Sequence, residues 1–189
     1  MNTTLTAPTE LVAHVDGSEA PAFGRWIVTP AHAWIIVRAR PGPLAAEATA
    51  CGAAVSGTVD ISSVPEHCRM SLTIDTRRLS TRRPKLARAL GAQDIRIDAV
   101  RTGRFAAGGW DIAGSVAAGD ESCAFDTWVD YRGVYCRRRD LAYAWLTMNL
   151  TVPARSLGMA AGPIRRLRDV AISLDVLATA DRSATSSVT

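Results

Sequence analysis

The side chains that could carry out acid–base chemistry are few in this sequence. Its three histidines are His14, His32 and His67. A lone histidine is more often a packed or surface residue than a catalytic base. His32 is the best placed, at the entrance to an apolar segment, but no serine or cysteine lies beside it in a recognisable nucleophile signature. We therefore predict that the protein is not an enzyme. The alternative is an enzyme that uses His32 for proton transfer on a lipid-like substrate.

Asp126 and Asp130 are the two carboxylates whose spacing most resembles a catalytic pair. They are four residues apart in an alternating segment, so they would point to the same side of a strand at a separation of about 13 Å. The two carboxyl groups of a glycosidase are about 5 to 9.5 Å apart. This spacing therefore argues against glycoside hydrolysis.

The cysteines show no zinc-binding pattern. No two have the C-x-x-C spacing, and a chain of 189 residues is long enough to bury a core without disulfides or a metal. Residues 1–20 contain no lysine or arginine and lack the apolar run of a secretory signal. We expect a cytoplasmic protein without metal or catalytic cofactor, in which all four thiols are free. These are Cys51, Cys68, Cys123 and Cys136.

The basic residues do not form a nucleic-acid-binding pattern. A net charge of +4 over the whole chain is too small to indicate a nucleic-acid-binding surface. Arginines nevertheless cluster near three predicted turns, where solvated loops are the simplest interpretation. The alternative is weak peripheral contact with anionic lipid headgroups, worth about 1 kcal/mol per basic residue at a membrane surface. The clusters are Arg77, Arg78, Arg82 and Arg83; Arg137 to Arg139; and Arg165, Arg166 and Arg168.

Alternation of apolar and polar side chains predicts the fold. Met70, Leu72 and Ile74 are separated by single polar residues, which is the period of a strand with one buried face. About eight such strands suffice to close an antiparallel up-and-down barrel around side chains or one small ligand. We predict an all-β barrel of this kind. Its other strands would be 26–39, 55–61, 95–102, 110–113, 125–131, 141–150 and 172–176.

One segment between the third and fourth predicted strands has helical spacing instead. Thr81 could cap a short helix and Gly91 could end it, so we expect a helix over one mouth of the barrel. The predicted domain is 24–179. Residues 1–23 are expected to be a flexible extension and 180–189 a disordered tail, because both lack periodicity.

Five segments follow one another along the chain: Trp26–Val28 with Pro30–Ala33, Val55–Asp60, Ser71–Thr76, Trp110–Gly114 and Asp169–Leu177. In this order they resemble segments of the YceI-like family of polyisoprenoid-binding proteins. The resemblance covers residues 24–178. Three family features are replaced here: the histidine-containing turn by Val116–Ser122, the D-F-G motif by Arg155–Gly158, and an aromatic, proline-containing segment by Gly91–Asp94.

The resemblance implies a lipocalin-like barrel that binds, stores or transports a long apolar or amphiphilic molecule in its interior. A polyisoprenoid or an isoprenoid quinone is the implied ligand. Such a chain gains about 0.8 kcal/mol for each CH₂ group removed from water, so a dry apolar tunnel suits it.

The predicted ligand-binding residues are apolar side chains on four of the strands. The alternative is that they form an ordinary core, and that a filled barrel acts as a protein-interaction module. The volume of the interior distinguishes these interpretations. The predicted residues are Ile35, Val37, Met70, Leu72, Ile74, Phe125, Val129, Tyr143 and Trp145.

Overall fold

The structure is a computed structural model that describes residues 23–39, 48–62, 64–90, 93–103, 105–106, 108–138, 141–159 and 168–181. Within these residues the chain forms eleven antiparallel strands and one α-helix, α1, Pro84–Leu90. The strands are β1 Gly24–Val28, β2 Ala33–Ala39, β3 Ala48–Gly52, β4 Val55–Ile61, β5 Arg69–Ile74, β6 Ser80–Thr81, β7 Ile95–Arg101, β8 Gly109–Ala118, β9 Glu121–Arg138, β10 Leu141–Pro153 and β11 Asp169–Ala180.

Eight of the strands close into a barrel, as predicted. Their order is β1, β4, β5, β7, β8, β9, β10 and β11, and β11 pairs again with β1. Most neighbours in the barrel are also consecutive barrel strands in the chain, which makes it an up-and-down arrangement. The remaining strands β2, β3 and β6 continue the sheet beside β11. The closed barrel leaves no free edge between its eight strands.

The predicted single strand 26–39 is wrong, because the structure divides it. Pro30 begins a 3₁₀ turn that ends at His32, and the His32 amide donates to the Thr29 carbonyl at 3.0 Å. Proline fixes φ and lacks a donor, so the ladder is interrupted there. The chain before the turn pairs with β4, whereas the chain after it pairs with β3. Strands β3 and β6 were not predicted: β3 consists mainly of small residues, and β6 has only two.

The helix lies in the connection between β5 and β7 and packs against β3 and β6; we call this end of the barrel the helix end. Leu86 and Leu90 are buried there in the same apolar core as the strands. Thr81 Oγ1 accepts a hydrogen bond from the Arg83 amide at 3.2 Å, consistent with the predicted cap. Gly91, the predicted stop, lies outside the described residues. At the same end a side-chain bond from Gln93 Nε2 to the Ala118 carbonyl, 3.1 Å long, joins the segment after the helix to β8.

The opposite end, which we call the mouth, is where β4 and β7 finish and β5 and β8 begin.

The terminal strand β11 reaches Ala180, which pairs with Trp26, one residue beyond the predicted domain bound. Of the predicted extension and tail, the structure describes only Phe23, Ala180 and Asp181, and the Asp181 amide donates to the Arg25 carbonyl at 2.8 Å. No helix in the described part of the chain combines the length and the apolar character needed to cross a membrane.

Candidate binding site in the barrel interior

The mouth half of the barrel contains a small open space with apolar walls. Seven of the eight barrel strands contribute to it, and its open volume is about 50 Å³. Phe23, Cys68 and Phe105 add to the lining from outside the strands. The strand residues whose apolar side chains line the space are Val59, Ile61, Met70, Leu72, Ala99, Trp110, Ile112, Val129, Leu146, Met148, Leu174 and Val176.

The volume of this space is small compared with that of a lipid. A single water needs about 10 to 15 Å³ measured in this way, and an apolar cavity that binds benzene has about 150 Å³. Any chain-like ligand therefore enters only if side chains move. Met70 and Met148 line the space, and methionine is the apolar side chain that adapts most easily, because it is unbranched and has three rotatable bonds.

Two aromatic rings, Phe105 and Trp110, line the space at the mouth, and the ring of Tyr131 packs against both. Phe105, between β7 and β8, lies 5.9 Å from Trp110 and 6.1 Å from Tyr131 between ring centroids, and the latter two are 6.4 Å apart. Trp110 and Tyr131 are buried. Tilted and edge-on ring pairs at these separations are mutually attractive. The alternation pattern placed Trp110 and Tyr131 in predicted strands, but neither they nor Phe105 were among the predicted ligand-binding residues.

The charged groups of the lining lie at the rim. Asp60 accepts two hydrogen bonds from Arg25, at 2.7 and 3.3 Å, and this bond raises the pKa of Arg25. Arg69 is opposite Asp60 in the β4–β5 pair. Arg101 ends β7; its Nε donates to the Gly103 carbonyl at 2.5 Å. The space thus has an apolar interior and a rim richer in guanidinium than in carboxylate groups.

Cys68 is buried at the rim with its hydrogen-bonding capacity satisfied. Its sulfur accepts from the Ser62 amide and donates to the Ser62 carbonyl, both at 3.2 Å. Arg101 Nη1 lies 3.9 Å from the same sulfur. Cys51, Cys68 and Cys123 are free thiols, whereas the side chain of Cys136 lies outside the described residues.

The structure brings three of the nine predicted ligand-binding residues to the open space: Met70, Leu72 and Val129. Four others are buried elsewhere in the core and do not line it. They are Ile35, Val37, Ile74 and Phe125. Contact of all nine with a ligand remains a prediction.

The last two predicted residues, Tyr143 and Trp145, lie on the other face of β10. Trp145 Nε1 donates a hydrogen bond to Asp175, an exposed residue between Leu174 and Val176. The inward positions of β10 that line the space are Leu146 and Met148. The sequence was ambiguous here because residues 141–146 are apolar on both faces.

His32 is not part of the space. Its Nδ1 lies 3.3 Å from Thr29 Oγ1, and its ring packs edge-on against Tyr143 at 5.2 Å. Asp130 is held by Trp128 Nε1 at 2.9 Å and by Thr147 Oγ1 at 3.4 Å. Among the described residues no group of histidine, cysteine and carboxylate side chains could hold a metal ion.

Solved structures of other proteins share this architecture. A Campylobacter jejuni YceI protein aligns with a TM-score of 0.53 at 12% identity, over 68% of this chain and 82% of that one. The chain has the YceI fold. A polyisoprenoid-binding domain from Saccharophagus degradans aligns with a TM-score of 0.56 at 11% identity, over 85% of this chain and all of that one. Burkholderia cenocepacia BcnA aligns with a TM-score of 0.59 at 8% identity, over 79% and 98%.

These likenesses confirm the resemblance of the sequence segments at the level of the fold. No family model matches the sequence, and no curated protein is significantly similar to it. The sequence identity to these structures is only 8 to 12%. The evidence for the YceI fold is therefore the chain order of several short, weakly matching segments together with the tertiary structure.

Proposed function

We propose that this protein binds a long-chain amphiphile in the mouth half of its barrel. The observation that carries the proposal is the apolar lining of the open space, with charged side chains confined to its rim. A small number of polar groups around an otherwise apolar pocket is the usual composition of a small-molecule site. The fold neighbour from Saccharophagus degradans is described as a polyisoprenoid-binding domain, which favours an isoprenoid chain over other apolar ligands.

Barrel closure makes the inside of this protein suitable for such a chain. The strands satisfy one another's backbone groups, so the inward side chains alone determine how polar the interior is. Each CH₂ group that leaves water contributes about 0.8 kcal/mol. A chain that reaches Leu72 from the mouth would exchange water for apolar contacts over several such groups.

Entry of the chain requires the lining to adapt. Because the open space is about 50 Å³, we propose that Met70 and Met148 change rotamer and that Phe105 moves aside at the rim. Methionine rotamers change at low cost. Storage or transport of an isoprenoid quinone would be one use of such a site, and a cytoplasmic location remains a prediction from the sequence.

Ligand uptake by the delipidated protein tests the proposal. An organic extract of the purified protein is analysed by mass spectrometry, and the stripped protein is titrated with a fluorescent isoprenoid analogue. We expect an apolar chain in the extract and saturable uptake with one site per barrel. Absence of saturable uptake would mean that the interior is only a core, and the protein-interaction alternative would replace the carrier function.

A further inference from the structure

We infer that the amphiphile carries an anionic headgroup, a carboxylate or a phosphate, which Arg101 binds at the mouth. This inference rests on the proposed function, because it assigns the polar end of the ligand whose apolar end lies in the barrel. It concerns the rim of the same space, to which Arg101 contributes.

Arg101 has an unusual position for a charged residue. Ile95, Ile97 and Ala99 are buried on the inner face of β7, and Arg101 is the next residue in that alternation. Its side chain is half-buried and lines the space. Because alternate residues of a strand point to the same face, the inward row of β7 consists of apolar side chains and ends with the Arg101 guanidinium at the mouth.

The guanidinium of Arg101 retains donors for a ligand. Its Nε is occupied by the Gly103 carbonyl, and its Nη1 has a distant sulfur contact with Cys68. The ion pairs of the described residues include neither Arg101 nor Arg69. Because a guanidinium has five N–H donors, most of those on Arg101 are available to a headgroup.

The one carboxylate in the lining does not oppose an anion. Asp60 accepts two hydrogen bonds from Arg25, which neutralise its charge. It also lies opposite Arg69 in the β4–β5 pair. The charged side chains that line the space are therefore two arginines and one aspartate, and that aspartate already has a cationic partner. A planar guanidinium matches the geometry of carboxylate and phosphate oxygens, whereas a hydroxyl or quinone headgroup would leave it without an anionic partner.

Three ligands with one isoprenoid chain test the inference by calorimetric titration of the delipidated protein. They are farnesol, farnesoic acid and farnesyl monophosphate, which share the chain and differ in the headgroup. We expect at least one anion to bind about tenfold more tightly than farnesol or better, a difference of about 1.4 kcal/mol. The tighter of the two anions identifies carboxylate or phosphate as the preferred headgroup.

Arg101→Gln should abolish the preference for the anion, measured as the ratio of anion affinity to farnesol affinity in the same variant. Arg101→Lys keeps the positive charge, so it should retain part of the preference for the anion. Such retention would indicate that the loss in the glutamine variant is not a folding defect. Arg96→Gln is the matched control, because Arg96 is exposed on the outer face of the same strand. Melting temperatures of all variants are measured alongside.

The outcomes separate the two proposals. If farnesol binds as tightly as both anions, or if Arg101→Gln leaves the preference intact, the headgroup assignment is wrong and the apolar site stands. If none of the three ligands binds, both the proposed function and the headgroup assignment fail.

Discussion

Gly57 on β4 lies directly against the carbonyl oxygen of Ser71 on β5, so that a β-carbon at position 57 would be 2.0 Å from that oxygen. Gly57 also has a φ of +149°, which L side chains rarely adopt. Glycine at such a position allows a close strand approach at a bend of a barrel. Gly57→Ala should therefore lower the free energy of unfolding by about 2 to 4 kcal/mol, through backbone strain and overpacking, as measured by urea denaturation.

Gly24→Ala is the matched control for this prediction. Gly24 has a φ of +136°, but a β-carbon there would have no neighbour within 4 Å. The variant carries the backbone cost without the clash, so it should be destabilised less than Gly57→Ala. Equal losses in the two variants would show that the contact with Ser71 is not responsible.

Leu72→Trp tests whether the open space is the binding site. Leu72 is buried and lines the space, so a larger side chain should occupy the volume that the ligand needs. We expect the barrel to remain folded while its affinity for a fluorescent isoprenoid analogue falls about tenfold or more, corresponding to about 1.4 kcal/mol. In a core with no binding function the same change would only overpack, at about 1 to 3 kcal/mol.

Val100→Trp provides the comparison for Leu72→Trp. Val100 is 43% exposed and belongs to the outer face of β7, so the added indole lies outside the barrel. Uptake of the analogue should remain at the wild-type level. A similar loss of affinity in both variants would locate binding on the barrel surface.

The cysteines should differ in their reactivity towards a thiol reagent. Cys68 is buried and hydrogen-bonded to Ser62, whereas Cys51 and Cys123 are half-buried. A buried thiol reacts slowly, so Cys68 should react last in the native protein. Titration in denaturant should find four thiols, as the sequence predicts. Fewer than four would indicate a disulfide that involves Cys136.

The exposed arginine loops should contribute little to membrane association. Arg77 is paired with Asp75 at 2.9 Å and lies 3.7 Å from Asp94, so its charge is already compensated. The hydrogen bond from Arg77 lowers the pKa of Asp75, so that carboxylate stays ionised at neutral pH. We expect no saturable binding to vesicles containing phosphatidylserine at physiological salt. Binding that weakens steeply as salt rises, because charges are screened over about 8 Å, would instead support the membrane alternative.

The chain's alternating pattern was sufficient to predict an antiparallel barrel. Met70, Leu72 and Ile74 needed no tertiary information, because a period of two is a property of a strand with one buried face. Helix α1 could also be predicted from neighbouring residues alone, because a threonine cap and two leucines at helical spacing define it. The same alternation also placed Leu72 and Val129 on the inner face, and both line the open space.

Only the tertiary structure decided which inward side chains meet at the mouth. Ile74 and Leu72 share one face of β5, yet of the two only Leu72 lines the space, because Ile74 lies at the helix end, where it is fully buried in the core. The face of β10 was also undetermined, since Tyr143 and Leu146 are both apolar. Pairing with β11 turned Leu146 inward, beside Val176. The position of Arg101 in the lining likewise depended on where β7 ends relative to its neighbours. Closure and register arise from contacts distant in sequence, so no local pattern of residues encodes them by itself.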